Sequence, residues 1–220
     1  MGSTAPAIPG ARGEPNLPPH GSQWYVAPMT VPNATRPEGS ASGDSTVPTG
    51  DEYRLGHRWV IDGPIDVVFE LLTQARDFPT WWAPCFKSAE SDDTELVVGS
   101  RAHLRVRSQL PYELVWDVRV VQMDRPRFLE IDTIVRLSNR FPLRGPIRYT
   151  LTEGPDGVEV VNEQILVAER RLPRPLRALT QRAFAYNHNW AFKIGGRGLQ
   201  KAVDEVVAAR TAATPVPAPA

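Results

Sequence analysis

The sequence predicts an α+β fold in which a curved antiparallel β-sheet wraps around one long C-terminal helix, with two short helices after the first strand. Three observations carry this. Between Tyr53 and Val167 apolar residues recur at every second position in several short runs, the period of half-buried strands. Turn signals separate those runs at the spacing of an antiparallel meander. From Pro173 to Ala209 the alternation stops, and steps of about 100° per residue gather Phe184, His188, Phe192, Gly195, Leu199, Val203 and Val206 on one stripe. A single helix laid across the sheet covers both apolar surfaces.

The ends of the chain differ from its middle. Residues 1–50 are dense in Pro, Gly, Ser, Ala and Thr, as in RPEGSASGDSTVPTG, and 211–220 close on TPVPAPA. Such composition buries too little apolar surface to offset chain entropy, so a disordered arm and tail are expected around one domain at 51–210. Within the arm, Gln23 to Val31 is an apolar island, either a docking segment or a less polar stretch. Lys and Arg total 25 and Asp and Glu total 25. That balance argues against a nucleic-acid or anionic-membrane partner. The start MGSTAPAIPGARG has no basic-then-apolar signal, and Pro6 stands where a myristoylation signal needs Ser or Thr. No run approaches the roughly 18 apolar residues of a membrane span. With Cys85 as the single cysteine, an intrachain disulfide is excluded. A cytoplasmic protein without stable membrane insertion is the expectation.

Taken in order, Tyr53, Leu55, His57, Trp59 and Ile61 form the inward face of strand one. Asp62-Gly63-Pro64 stops it, and Ile65, Val68, Phe69 and Leu72 repeat at helical spacing. Thr80 to Pro84 is a helical turn or loop carrying Trp81 and Trp82. Phe86 to Ala89 reads as a short edge strand. Ala102, Leu104 and Val106 face in on the next strand, and Leu114, Trp116, Val118 and Val120 on the one after. A turn centred on Leu110 opposes Arg107 to Glu113 and His103 to Asp117, which explains the outer charges as cross-strand pairs. Leu129 to Leu137 alternate inward, 138–146 reads as a loop because of Pro142, Gly145 and Pro146, and Ile147, Tyr149 and Leu151 resume. Glu153 to Gly157 is a hairpin turn. The last strand has Val158, Val160, Asn162, Gln164 and Leu166 on one face, with a bulge available to switch phase midway, so Asn162 and Gln164 face either a cavity or solvent.

HRWVIDGPIDVVFELLTQARDFPTWWAP and PYELVWDVRVVQMDRPRFLEI resemble the first strand, Pro-started helix, Trp-rich second helix and central hairpin of the START-like, or SRPBCC, superfamily, in its polyketide cyclase/dehydrase-like branch. The similarity spans about Glu52 to Val207. It implies the helix-grip fold with an internal cavity for an apolar ligand, and no cofactor. Fold-level likeness says little about chemistry.

Under this phase the cavity wall is His57, Trp59, Trp116, Tyr149, Asn162, Gln164, Phe184, His188 and Phe192, with Trp82 at the mouth or capping the core beside Trp81. His188 is the sharpest candidate, since a neutral imidazole both donates and accepts; the alternative is a histidine satisfied by a strand side chain. His57 is expected to be structural, and Trp59, Trp116 and Phe192 serve as core as readily as wall. Gly195, Gly196 and Gly198 either let the helix approach the sheet or leave room for a ligand; a phosphate loop is excluded by the missing lysine and strand. Four histidines, none at metal-ligand spacing, argue against a metal site. Cys85 lacks a basic partner and is a weak nucleophile candidate. Two functions remain. One is binding of a hydrophobic, ring-containing or lipid-like small molecule; the other is a polyketide cyclase or aromatase in which His188 and Tyr149 move protons. An arginine cluster at 170, 171, 174, 177 and 182 raises a third, a chaperone-like or membrane adaptor. Leu179, Tyr186, Trp190 and Ile194 lie opposite the buried stripe and predict a second covered face, against the 138–146 loop, the arm or a second subunit forming a homodimer.

Overall fold

The computed structural model describes residues 52–109, 113–137, 141–169 and 173–213. The elements are β1 (Glu52–Ile61), α1 (Ile65–Thr73), a 3-10 turn (Ala75–Asp77), α2 (Phe78–Trp81), β2 (Phe86–Ser91), β3 (Arg101–Arg107), β4 (Glu113–Asp124), β5 (Phe128–Leu137), β6 (Phe141–Gly154), β7 (Gly157–Ala168) and α3 (Arg174–Ala213). All strand pairs are antiparallel, in the order β1-β7-β6-β5-β4-β3-β2. The α1–α2 segment therefore carries the chain from one sheet edge to the other. This is the helix-grip architecture, with α3 packed against β1, α1 and α2. The Gln23–Val31 island, Arg170 and Arg171 lie outside the described residues.

Period-two faces bury as expected. Trp59, Ile61, Leu104, Val118, Leu129, Val135, Ile147, Leu151 and Val160 are all core. On the outer face, His103 Nδ1 meets Asp117 Oδ1 at 2.7 Å and Arg136 takes the other Asp117 oxygen. Arg107 does oppose Glu113, but the Glu113 carboxylate pairs with Lys87.

One expectation fails on strand geometry, and one open alternative is decided by it. The 138–146 loop is shorter than predicted, because β6 already begins at Phe141. Its prolines are tolerated because the β7 ladder registers Arg144 with Val167 and then Ile147 with Gln164, leaving Gly145 and Pro146 without a bridge on that side. Gly145 is required there, since a Cβ would lie 1.9 Å from the Ile165 carbonyl oxygen. No bulge interrupts β7, whose even residues stay buried from Val158 to Ala168. Asn162 and Gln164 therefore face inward at 1% and 2% exposure. The irregularities sit instead at Val120/Gln122 of β4 and Phe86/Ser88 of β2.

Every residue of the predicted α3 stripe from Phe184 to Val203 is buried. Three helical glycines each cost about 1 kcal/mol of propensity, and each meets an aromatic segment where no side chain fits. A Cβ on Gly195 would lie 2.4 Å from Trp82 Nε1, one on Gly196 2.8 Å from Trp59 Cδ1, and one on Gly198 1.7 Å from the Trp81 carbonyl oxygen. The space at Gly195 is filled by indole, so the expectation that it leaves room for a ligand is corrected. Trp81 and Trp82 are both buried. On the other side of α3, Trp190 and Ile194 pack partly against the core, whereas Leu179 and Tyr186 are 63% and 57% exposed. The second covered face thus holds only in part within this chain.

Gly198→Ala forces backbone against backbone and is expected to lower unfolding free energy by about 3 kcal/mol, the upper range for overpacking. Gly154→Ala, whose nearest contact would be an ordinary 3.4 Å, is expected to stay near wild type. Urea titration followed by tryptophan fluorescence measures both.

Candidate ligand cavity between sheet and helix

Between the N-terminal half of α3's buried stripe and the inner face of β3–β7 lies a cavity of about 70 Å³. One water needs roughly 10–15 Å³ by the same measure, so the space exceeds packing noise. Its wall is mostly aliphatic and aromatic, as the inward period of each strand dictates.

Seven of the ten predicted site residues line it: Trp82, Trp116, Tyr149, Gln164, Phe184, His188 and Phe192. Tyr149 comes from β6, Gln164 from β7 and Trp116 from β4, each because its strand position is even or odd in phase with the core. Trp82 forms wall from the short second helical segment. His57, Trp59 and Asn162 stand behind the wall. The His57 ring lies 5.2 Å from Phe192 and 6.2 Å from His188, and Trp59 stacks on Phe192 at 5.1 Å. Asn162 accepts from Gln164 Nε2 at 3.1 Å and so orients that amide.

His188 is 7% exposed and its ring lies 4.2 Å from Phe192, one turn on. It hydrogen-bonds the Gly56 backbone, while Nε2 is buried without a hydrogen-bond partner among the described residues. Burial drives its pKa down to about 3, helped by the neighbouring His57 and opposed by the Gly56 bond. Burial also lowers His57 to about 4. Tyr149 is pushed up by burial and by the proximity of Cys85, and burial raises the Cys85 thiol to about 12. At neutral pH the three ionisable side chains lining the cavity are thus uncharged. With its other ring nitrogen donating to Gly56, Nε2 of the neutral His188 imidazole is an acceptor, and Trp116 Nε1 is a buried donor likewise without a partner among the described residues.

Sequence reading missed Asn187, which lines the cavity from the margin of the helix stripe. Its Oδ1 accepts from Ser108 Oγ at 3.0 Å and from the Gln109 N–H at 2.9 Å, tying α3 to the end of β3. The helical angle places it beside Phe184 and Ala191, a signal that apolar periodicity alone does not carry. Cys85 belongs to the wall as a small apolar group and not as a nucleophile. Among the described residues no cluster of His, Cys, Asp and Glu can hold a metal, and no helix is long and apolar enough to cross a membrane.

The lowered histidine pKa values couple stability to pH. The unfolded chain binds protons at these imidazoles from about pH 6.5 downward and the folded chain does not, so acid favours unfolding. His188 alone accounts for about 2 kcal/mol lost between pH 6.5 and pH 5, at 1.36 kcal/mol per unit. His57, less buried, adds a smaller part in the same direction. Urea midpoints are expected to be flat from pH 8 to 7, to fall below 6.5, and to fall less steeply in His188→Gln.

The family model described as Activator of Hsp90 ATPase homolog 1-like protein matches residues 62–190, more than half of the chain. No curated protein is similar enough in sequence to match. Solved structures of similar fold include the Zhui aromatase/cyclase from Streptomyces sp. R1128, at 14% identity and TM-score 0.56 over 72% of this chain and 98% of that one. A protein of unknown function from Staphylococcus aureus matches at 10% identity and TM-score 0.52, covering 73% and 98%. A START superfamily protein from Mycobacterium smegmatis matches at 14% identity and TM-score 0.50, covering 70% and 99%. At these identities the likeness is one of fold. On the match from α1 to the middle of α3, the chain belongs to the Activator of Hsp90 ATPase homolog 1-like family, within the START-like (SRPBCC) superfamily.

Proposed function

We propose that this protein binds a hydrophobic, ring-containing or lipid-like small molecule in the cavity between sheet and helix. The observation that carries the reading is the wall itself: an apolar enclosure with a few neutral polar groups, Tyr149, Gln164, Asn187 and His188, around one space. Phe184, Phe192, Trp82 and Trp116 supply flat surfaces suited to a ring. His57, Trp59 and Asn162 act behind the wall, holding Phe192 and Gln164 in place.

Cyclase or aromatase chemistry with His188 and Tyr149 as proton carriers is the second reading, favoured by the fold it shares with an aromatase/cyclase. Acid–base catalysis works best when the group's pKa lies near the working pH. An imidazole lowered to about 3 by burial is a weak base at neutrality and a phenol raised by burial a weak acid. Both remain competent hydrogen-bonding groups. Binding is therefore the function these residues support better.

Native mass spectrometry of freshly purified protein is expected to show a retained small molecule that denaturation releases. Val135→Phe fills the cavity from β5 and is expected to weaken capture of an apolar fluorophore such as Nile red about tenfold with the fold retained, the scale of steric exclusion from a closed apolar pocket. His188→Ala is expected to lower affinity modestly. Turnover of an aromatic polyketide precursor lost in His188→Ala with binding retained would establish the cyclase instead.

A further inference from the structure

Resting on the binding reading, we infer that the ligand is uncharged and carries a hydroxyl or carbonyl group, and that the cavity rejects carboxylates of the same ring. Among the described residues that line the cavity none carries a formal charge; their polar set is phenol, amides, imidazole, thiol and indole. A buried carboxylate needs a cationic or multiply donating partner, and without one its transfer costs several kcal/mol. Among the described residues no lysine or arginine reaches this wall.

Recruiting a counter-charge from within is equally disfavoured. Among the described wall residues the one basic side chain is His188, which sits 6.2 Å from a second imidazole, that of His57, so that a positive charge on it is opposed by burial and by its neighbour. The ring stack of Phe192 and Trp59 on the same side offers no anionic group to stabilise that charge. The cavity's own polar atoms favour a neutral partner. His188 Nε2, an acceptor, and Trp116 Nε1, a donor, are buried without hydrogen-bond partners among the described residues, on two residues of the wall. Such atoms each cost about 1–3 kcal/mol when unmet; a ligand hydroxyl can donate to the first, and a hydroxyl or carbonyl oxygen can accept from the second, at the cost of small side-chain shifts. Asn162 holds Gln164 Nε2, which leaves the Gln164 carbonyl oxygen as an acceptor for a hydroxyl. Discrimination thus comes from what the wall lacks as much as from what it offers.

The test uses the full chain at pH 7.5 and three probes of one ring size: 2-naphthalenemethanol, 2-methylnaphthalene and 2-naphthoate, titrated by calorimetry. The alcohol is expected to bind about tenfold or more tightly than the carboxylate, following the desolvation cost of an unpaired anion. Tyr149→Phe and His188→Gln, checked for fold by circular dichroism, are expected to narrow the gap between the alcohol and the methyl compound in at least one case. Carboxylate binding equal to that of the alcohol overturns this inference and leaves the cavity a binding site. Failure of all three probes, with Nile red also excluded, overturns the binding reading and the inference with it.

Discussion

The indole N–H groups of Trp59 and Trp82 end on consecutive carbonyls of α3, at Phe192 O (2.9 Å) and Ala191 O (2.8 Å). A helix carbonyl already accepts from the residue four positions on, and its second lone pair is normally screened by that residue's side chain. Here those residues are Gly196 and Gly195, whose missing Cβ atoms are what let the two indoles in. The arrangement joins four things: strand β1 through Trp59, the second short helix through Trp82, the helix backbone, and the height of α3 above the sheet. Gly198 against the Trp81 carbonyl and Val203 against Gly63 continue the same close seating toward the C-terminal end.

Because α3 is seated so low along Gly195 to Val203, its interior there is filled by indole, phenyl and aliphatic groups. Toward the N-terminal end the fastenings are polar and set near the rim: Asn187 to Ser108 and Gln109, then Tyr53 to Thr180 at 3.1 Å. The cavity occupies the span between a tight aromatic seat and a polar tie. His188 sits one turn before the seat, positioned by a helix that cannot rotate without breaking both indole bonds. A residue held this way has a ring position set by backbone contacts, the preorganisation that the proposed ligand orientation would need.

Much of this was legible in the sequence, and the illegible part has a common cause. Period-two runs and the α3 stripe identify inward residues because burial depends on each element's own geometry, and Tyr149, Trp116 and Phe184 follow directly. Asn162 and Gln164 were ambiguous because a strand of mixed faces is oriented by its neighbours' register, here β1 on one side and β6 on the other. The 138–146 stretch reads as a loop because Pro and Gly punctuation assumes both ladders matter, whereas β6 keeps pairing with β5 through Pro142, Gly145 and Pro146. The glycines of α3 carry no local sign of whether the space they open is filled. That depends on Trp82 and Trp59, more than one hundred residues away in sequence. Asn187 was likewise readable only once its partner at the end of β3 was in place.

A fold that fills its interior this closely near the indoles yet stops short beneath Phe184 and His188 retains a space with an energetic consequence. Unfilled apolar volume costs on the order of 24 cal/mol per Å³ in lost packing, so about 70 Å³ corresponds to roughly 2 kcal/mol, besides the unmet Nε2 atom of His188. Larger side chains at Val135 or Ala191 would remove that penalty, yet the wall keeps small residues there while placing seven aromatic side chains, Phe78, Trp82, Phe86, Trp116, Tyr149, Phe184 and Phe192, around the same space. Stability and occupancy are therefore coupled in this chain: a molecule that fills the space restores contacts the protein does not make for itself, and the native state gains by the free energy of that binding. The low histidine pKa values run the same way, since any proton taken up beside the cavity is opposed by burial and by the second ring. The apolar chamber and the neutral imidazole are two consequences of one constraint, a helix held at fixed height over an apolar sheet.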